Sequence, residues 1–329
     1  MQEAYTILLG NLLSPLVLAF LVGIIATLIR SELEFPQPVL NAISIYLVFS
    51  IALQGGTELA EGSIISLWKP ALGALLVAIL LPLWGYWAAR RLLKLTIPNA
   101  AGIAALYGSV SSVTFLAALT FANKLGQPTE PFLPVLVTIM EWGILTALLC
   151  ARIAMQREHS DEKLPLREIV IDTLRGRSVI LLLGGLAMGW IIGKEGFDPI
   201  KPVFHDAFKG VLVLFLLEMG MVAARQMREF FAMAPRLVAW GVCAPVLHAL
   251  AGVTLGWMLG LSQGGSFVFG AIVASASYID APAAVRSALP AANPGIYLTS
   301  SLGITFPFNL LVGLPLYYQY AAWLHGVWQ

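Results

Sequence analysis

Residues 274–282 read Ala-Ser-Ala-Ser-Tyr-Ile-Asp-Ala-Pro, a run of small and hydroxylated side chains with one carboxylate and one proline inside an apolar segment. A helix that faces lipid would not carry Asp280, because an ionised Asp at the centre of a bilayer costs roughly 2.5 to 3.5 kcal/mol on insertion scales. Pro282 lacks a backbone donor and clashes with the carbonyl group four residues before it. The stretch therefore predicts a helix that is interrupted in the middle of a membrane, where secondary transporters bind their solutes.

The composition around this stretch is that of a polytopic membrane protein. Of the 329 residues, 59% are hydrophobic and 11% are charged, and the mean hydropathy is +0.84. Apolar runs long enough to cross about 30 Å of hydrocarbon predict an all-α protein with ten transmembrane helices. We expect residues 1–155 to form a first five-helix repeat, residues 156–177 a cytoplasmic linker and residues 178–329 a second five-helix repeat. The net charge of +1 gives no reason to expect a nucleic-acid partner.

The distribution of Lys and Arg predicts the orientation, because these residues are retained on the cytoplasmic side of membrane proteins. With the N-terminus outside, all but five of the 19 Lys and Arg residues fall in cytoplasmic loops. The five exceptions are Lys69, Lys124, Lys194, Lys201 and Lys209. We therefore expect both termini to lie outside.

The two halves also share weak sequence features in the same order. Gly55 corresponds to Met219 at a separation of 164 residues, and Gly102 corresponds to Gly270 at a separation of 168 residues. Because each half has five predicted helices, the second half enters the membrane with the opposite orientation, so we expect an inverted repeat with crossed, broken fourth and ninth helices.

A second run of small and hydroxylated residues, Tyr-Gly-Ser-Val-Ser-Ser-Val-Thr at positions 107–114, lies in the fourth predicted helix. Two broken helices that cross would direct two helix N-termini at one place. Such a place can hold an oxyanion without a buried Arg or Lys. The pattern predicts that substrate is bound by Gly108, Ser109, Val110 and Ser111 of the fourth helix and by Ser275, Ala276, Ser277 and Tyr278 of the ninth.

Hydroxyl, carbonyl and carboxylate oxygens near these runs suit an alkali cation better than a transition metal. We expect Ser112, Thr114, Glu141 and Asp280 to bind the cation, since an acid within a membrane span is a functional candidate. Other interpretations stay open at this point. The same small residues would serve close helix packing, Glu218 would fit a position near the water interface, and His248 and Asn309 are typical of interhelical hydrogen bonding. No hydrolase motif is present, so we expect a protein that is not an enzyme and has no cofactor.

The segments that carry a family resemblance are residues 107–111, Thr114, residues 117–120, residues 274–282, Arg286, residues 290–294, Tyr297, Ser300 and Ser301. They resemble the cyanobacterial sodium-dependent bicarbonate symporter family, often called SbtA. The resemblance implies a bacterial inner-membrane homotrimer in which a core domain with crossed broken helices moves against a gate domain. It also implies sodium-driven uptake of bicarbonate, with sodium as the coupling ion and Ser300 and Ser301 among its ligands.

The chain departs from the family pattern at the predicted site. Tyr278 stands where the family carries a carboxylate, Asp280 stands two residues later at a serine position, and Glu141 replaces an Asp. Members of the family bind a PII-like regulator, but the cytoplasmic loop of this chain is shorter than theirs. An organic-anion or carboxylate symporter like the bile-acid carriers, which share crossed broken helices, is the alternative function, and a membrane protein without transport activity is a further one.

Overall fold

The computed structural model describes residues 13–61, 67–157, 171, 175, 177–230, 235–277 and 280–327. These residues form helices and no β-strand. The helices are α1 (Pro15–Leu28), α2 (Gln37–Glu61), α3 (Trp68–Arg91), α4 (Ile97–Gly108), α5 (Ser112–Lys124), α6 (Leu133–Met140), α7 (Gly143–Arg157), α8 (Arg177–Phe197), α9 (Phe208–Phe230), α10 (Pro235–Met258), α11 (Gln263–Val273), α12 (Asp280–Ala288), α13 (Pro294–Leu298), α14 (Phe306–Phe308) and α15 (Leu314–Val327).

Seven helical segments of the described residues are long and apolar enough to cross a membrane. The last of them, Pro294–Gly326, is continuous because π-helical turns at Thr299–Thr305 and Asn309–Gly313 join α13, α14 and α15. A short 3₁₀ turn at Asp198–Ile200 and a π-helical turn at Pro202–Asp206 connect α8 to α9. The prediction of an all-helical polytopic membrane protein is therefore confirmed.

Glycines bring two pairs of helices into close contact. Helix α1 packs against α9, where a Cβ atom at Gly23 would collide with the carbonyl of Leu217 and one at Gly220 with the carbonyl of Phe20. Helix α2 packs against α8 in the same way through Gly56. Such contacts are typical of membrane helices, whose backbones approach closely at small residues. The glycines at positions 56 and 220 thus serve helix packing in the interior of α2 and α9.

The broken helices occupy the interior of the remaining part. Of an 18-residue apolar stretch in the segment that contains α4 and α5, 94% is buried, whereas the corresponding share for α3 is 33%. Helix α3 presents a wide apolar face outward. Helix α4 packs against α3, α7 and α12, and α5 packs against α11. Residues 107–111 and 274–277 are buried inside the protein, as the cost of polar groups in lipid requires.

Two local features differ from what the sequence indicates. The apolar run after residue 132 indicates one helix, but the structure interrupts it at Glu141 and Trp142, between α6 and α7. Pro282 does not interrupt a helix; it lies in the first turn of α12, where a missing N–H costs nothing because the first N–H groups of a helix have no intrahelical partner.

Candidate functional site

The break between α4 and α5 contacts the break that follows α11. The backbone N–H of Ser111 donates to Oγ of Ser275 at 2.9 Å, and the backbone N–H of Ser277 donates to the carbonyl of Leu106 at 2.8 Å. Backbone groups at a break lack helical partners and must find others when they are buried. Each break therefore donates a backbone hydrogen bond that the other segment accepts, and these two bonds hold the interruptions together.

Two helices begin at this crossing, and their first turns are capped by serines of the breaks. Ser111, in an extended conformation, accepts a hydrogen bond at Oγ from the N–H of Thr114 at 3.1 Å, which caps α5. Ser277 accepts at Oγ from the N–H of Ala281 at 3.2 Å in the first turn of α12. The partial positive charges of two helix N-termini thus lie at the crossing, together with several hydroxyl groups.

The interruption of the fifth predicted helix brings an acid to the first break. Ser109 donates from Oγ to Oε2 of Glu141 at 2.6 Å, and both residues are buried, at 0% and 2% exposure. That distance is typical of a hydrogen bond to a carboxylate, which is about twice as strong as one between neutral groups. A Cβ atom at Gly143 would collide with the carbonyl of Gly108, so glycine is needed here for the close approach of α7 to the first break.

The segment Pro294–Gly326 supports the crossing with polar side chains that the predicted site did not include. Nδ2 of Asn309 donates to the carbonyl of Ala274 at 3.0 Å, and the hydroxyl of Tyr317 donates to Oδ1 of Asn309 at 2.7 Å. The hydroxyls of Tyr107 and Thr305 lie 2.7 Å apart. The prediction that Asn309 is a satisfied interhelical hydrogen bonder is confirmed. An Asn inside an apolar run indicates a buried side chain that hydrogen-bonds to a neighbouring helix, and here the neighbour is the end of α11.

The same prediction is wrong for His248. Both of its ring nitrogens are buried and have no hydrogen-bond partner among the described residues. Glu218 is also buried, but Oε1 accepts from Nη2 of Arg225 at 2.9 Å, and the Arg225 side chain is about half exposed. Glu218 is therefore paired with a side chain that reaches the surface of the described structure.

The structure does not place every predicted site residue in one cluster. Val110 and Ala276 are buried within the breaks, and Ser112 is half-buried at the start of α5. In the π-helical turn Thr299–Thr305, the Ser300 hydroxyl has no partner among the described residues, and the Ser301 hydroxyl donates to the carbonyl of Leu298 at 3.3 Å. Neither serine therefore hydrogen-bonds to Glu141. Tyr278 lies outside the described residues, and so does the side chain of Asp280, whose backbone begins α12.

The chemistry at the crossing consists of helix N-termini, hydroxyls and one described carboxylate. No group of three or more His, Cys, Asp or Glu side chains that could hold a metal ion occurs in the described part of the chain. No Lys or Arg is among the buried residues that the structure describes. A set of oxygen donors with a single carboxylate suits a hard monovalent cation and does not suit a transition metal.

Comparison with curated proteins gives no match. The model of the Na+-dependent bicarbonate transporter superfamily, however, matches residues 15–322. The matched region begins at the first residue of α1 and includes both breaks, Glu141 and Asn309. Because the match extends over nearly the whole chain, this protein belongs to the Na+-dependent bicarbonate transporter superfamily.

Proposed function

We propose that the protein is a secondary transporter that takes up bicarbonate, or a similar small anion, together with sodium by alternating access. The observation that carries the proposal is the contact between the two breaks, where Ser111 donates to Ser275 and both α5 and α12 begin. Membership in the superfamily supports sodium and bicarbonate as the transported ions.

The anion site is expected between the two helix N-termini. We assign the positive potential at this site to backbone N–H groups, hydroxyls and helix dipoles, because the described residues include no buried Lys or Arg. Ser109, Ser111, Ser275 and Ser277 surround this place, and each is almost fully buried. A solute can reach these residues only if neighbouring helices move, which is consistent with alternating access.

The cation site is expected at Glu141, with Ser109 between it and the anion. A sodium ion beside the Glu141 carboxylate would attract the anion and so favour the binding of both ions together, because charges interact strongly away from water. Ser109 belongs to the first break and also donates to the carboxylate. We assign the second carboxylate of the cation site to Asp280, from its place at the start of α12.

Pairing between the halves supports the inverted repeat. Helix α1 contacts α9 and α2 contacts α8, as expected if the first and second helices of each half exchange partners across a pseudo-twofold axis. Ser111 and Ser275, which contact each other, are 164 residues apart. Two contacts join loops that are predicted to lie on the same side of the membrane, Asn99 with Asn293 and Glu130 with Ser262. We further propose an inner-membrane homotrimer with both termini outside.

Uptake of radiolabelled bicarbonate by proteoliposomes tests the function. We expect uptake under an inward sodium gradient and little uptake under an equal potassium gradient, with protein-free liposomes at alkaline pH as the control for diffusion of carbon dioxide. Replacing Ser111 with leucine should abolish uptake, because the larger side chain would enter the crossing, whereas Ser44→Leu on α2 is the control at a buried serine away from it.

Equal uptake in both gradients would refute sodium coupling. Sodium-dependent uptake of taurocholate without uptake of bicarbonate would instead favour the organic-anion alternative. Normal bicarbonate uptake by Ser111→Leu would show that the serines serve helix packing and do not line the path of the solute.

A further inference from the structure

A pocket with basic walls lies at the C-terminal end of α3. Its volume is about 690 Å³, and its walls are formed by the last turns of α3, by the turn that follows and by Ala154 of α7. Three positively charged side chains line it, those of Arg90, Arg91 and Lys94. No Asp or Glu is among the described residues that form its walls. The charge of this pocket therefore favours an anionic ligand.

The backbone after α3 brings the three charges together. The helix ends at Arg91, and Lys94 lies in the following turn in the left-handed conformation, with φ of 56°. Nη1 of Arg90 donates to the carbonyl of Leu95 at 2.7 Å, which holds the guanidinium group against this turn. The half-buried Arg90 is thus positioned before a ligand arrives, and a planar guanidinium group suits the oxygens of a phosphate.

An exposed apolar stripe on α3 leads to this pocket. Leu76, Leu80, Trp84, Trp87 and Arg91 follow one another at intervals of three or four residues, so they share one face of the helix. Leu80 and Trp87 are 52% and 50% exposed. The rings of Trp84 and Trp87 stack with their centroids 5.2 Å apart, and Trp is enriched where hydrocarbon meets the lipid head groups. The order along this face is therefore apolar, aromatic and basic, which matches a phospholipid from its acyl chains to its phosphate.

We propose that the pocket binds the head group of an anionic phospholipid, with the phosphate beside Arg90, Arg91 and Lys94 and an acyl chain along the exposed face of α3. Basic pockets between membrane helices bind the head groups of anionic lipids in this way. A zwitterionic lipid fits less well, because its own ammonium group would meet three positive charges. A free phosphate ion would use the same charges but not the apolar stripe, so a lipid is the occupant that accounts for both features.

Two substitutions remove charge from the pocket and keep its backbone. Arg91 is exposed, and Arg91→Gln retains a polar side chain at this position. Lys94→Gly places glycine in a left-handed conformation that glycine adopts readily, so it should leave stability nearly unchanged. Arg90 stays in place because its hydrogen bond to Leu95 supports the turn. The double variant therefore tests binding without a change in fold.

Native mass spectrometry of the full-length protein during stepwise addition of lipid measures this binding. The two probes are dioleoyl phosphatidylglycerol, which is anionic, and dioleoyl phosphatidylethanolamine, which has the same acyl chains and no net charge. We expect wild type to prefer phosphatidylglycerol. The double variant should bind it about 30-fold more weakly, since each Lys or Arg near a lipid surface contributes about 5-fold. The control is Lys69→Gln with Lys201→Gln, which removes two exposed charges outside the pocket and should leave binding unchanged.

Three results would overturn the proposal. Equal binding of the two lipids by wild type would show that the charges do not select the head group. An equal loss of phosphatidylglycerol binding in the control would show a general effect of net charge. Displacement of the lipid by an equal concentration of glycerol 3-phosphate, which has the phosphate without acyl chains, would assign the pocket to a soluble phosphate compound. Lys94→Gly alone should weaken phosphatidylglycerol about 5-fold at an unchanged melting temperature, and this result would support the lipid site.

Discussion

Replacing Ser109 with alanine removes the hydroxyl that donates to Oε2 of Glu141. The two atoms are 2.6 Å apart and both residues are almost completely buried, so water cannot replace the lost donor. Hydrogen bonds to charged groups contribute about 1.5 to 3 kcal/mol. If the carboxylate binds sodium in the position that this hydrogen bond fixes, the half-saturating sodium concentration should rise about 10- to 150-fold in Ser109→Ala.

A double-mutant cycle separates this effect from general damage to the protein. Glu141→Gln keeps the size of the side chain but removes its charge, so it should raise the half-saturating sodium concentration at least as much as Ser109→Ala. Once the carboxylate is absent, the serine has little left to stabilise, and we expect the double variant to resemble Glu141→Gln. The coupling free energy should therefore be about 1.5 kcal/mol or more, well above the roughly 0.5 kcal/mol of independent sites.

The assay is initial-rate uptake into proteoliposomes against sodium concentration, with equal amounts of reconstituted protein. Ser44→Ala, at a buried serine of α2, which contains neither break, controls for the loss of a hydroxyl as such. Additive effects of the two substitutions would refute the coupling. An unchanged sodium dependence in Glu141→Gln would remove Glu141 from the cation site altogether.

Three further substitutions test separate parts of the site. Gly143→Ala should cost about 1 to 3 kcal/mol of stability, because its Cβ would collide with the backbone carbonyl of Gly108. The control is Gly184→Ala, at an open position on α8, which should leave stability unchanged. Equal thermal stability of the two variants would contradict this packing. Asn309→Leu should lower the melting temperature by leaving two buried partners unpaired, and an unchanged value would show that its hydrogen bonds are dispensable. Asp280→Asn should lower the affinity for sodium more than the affinity for bicarbonate, because it removes the charge that a desolvated cation needs. Uptake curves with an unchanged half-saturating sodium concentration would exclude Asp280 from the cation site.

The broken helices could be predicted from sequence because the cause is local. Each break is a short run of small and hydroxylated residues, and its serine side chains hydrogen-bond to nearby backbone groups, as Ser111 does to Thr114 and Ser277 does to Ala281. Composition alone was also enough to predict an all-helical membrane protein. These features depend on residues that are neighbours in the chain.

The position of Glu141 depends on distant residues and could not be derived from its own segment. Residues 140–143 contain no proline that would interrupt a helix. The interruption accompanies the close approach of Gly143 to Gly108, which is set by how α7 packs on the first break. For the same reason, the contact between Ser109 and this acid could not be predicted from either segment alone. The unpartnered state of His248 is likewise a property of the surrounding helices.

Symport requires that the cation and the anion be bound together, and the geometry around Ser109 provides a direct way to meet that requirement. Its hydroxyl donates to the Glu141 carboxylate, so its lone pairs remain free to accept a bond or to coordinate a cation. Its backbone belongs to the break that precedes α5, one of the two helices whose N-termini lie at the crossing. A change in the position of the carboxylate on binding sodium would therefore move the backbone at the proposed anion site. We expect substitutions at Ser109 to weaken the dependence of bicarbonate affinity on sodium, whereas substitutions at Asn309, which supports the other break, should lower stability and leave that dependence in place.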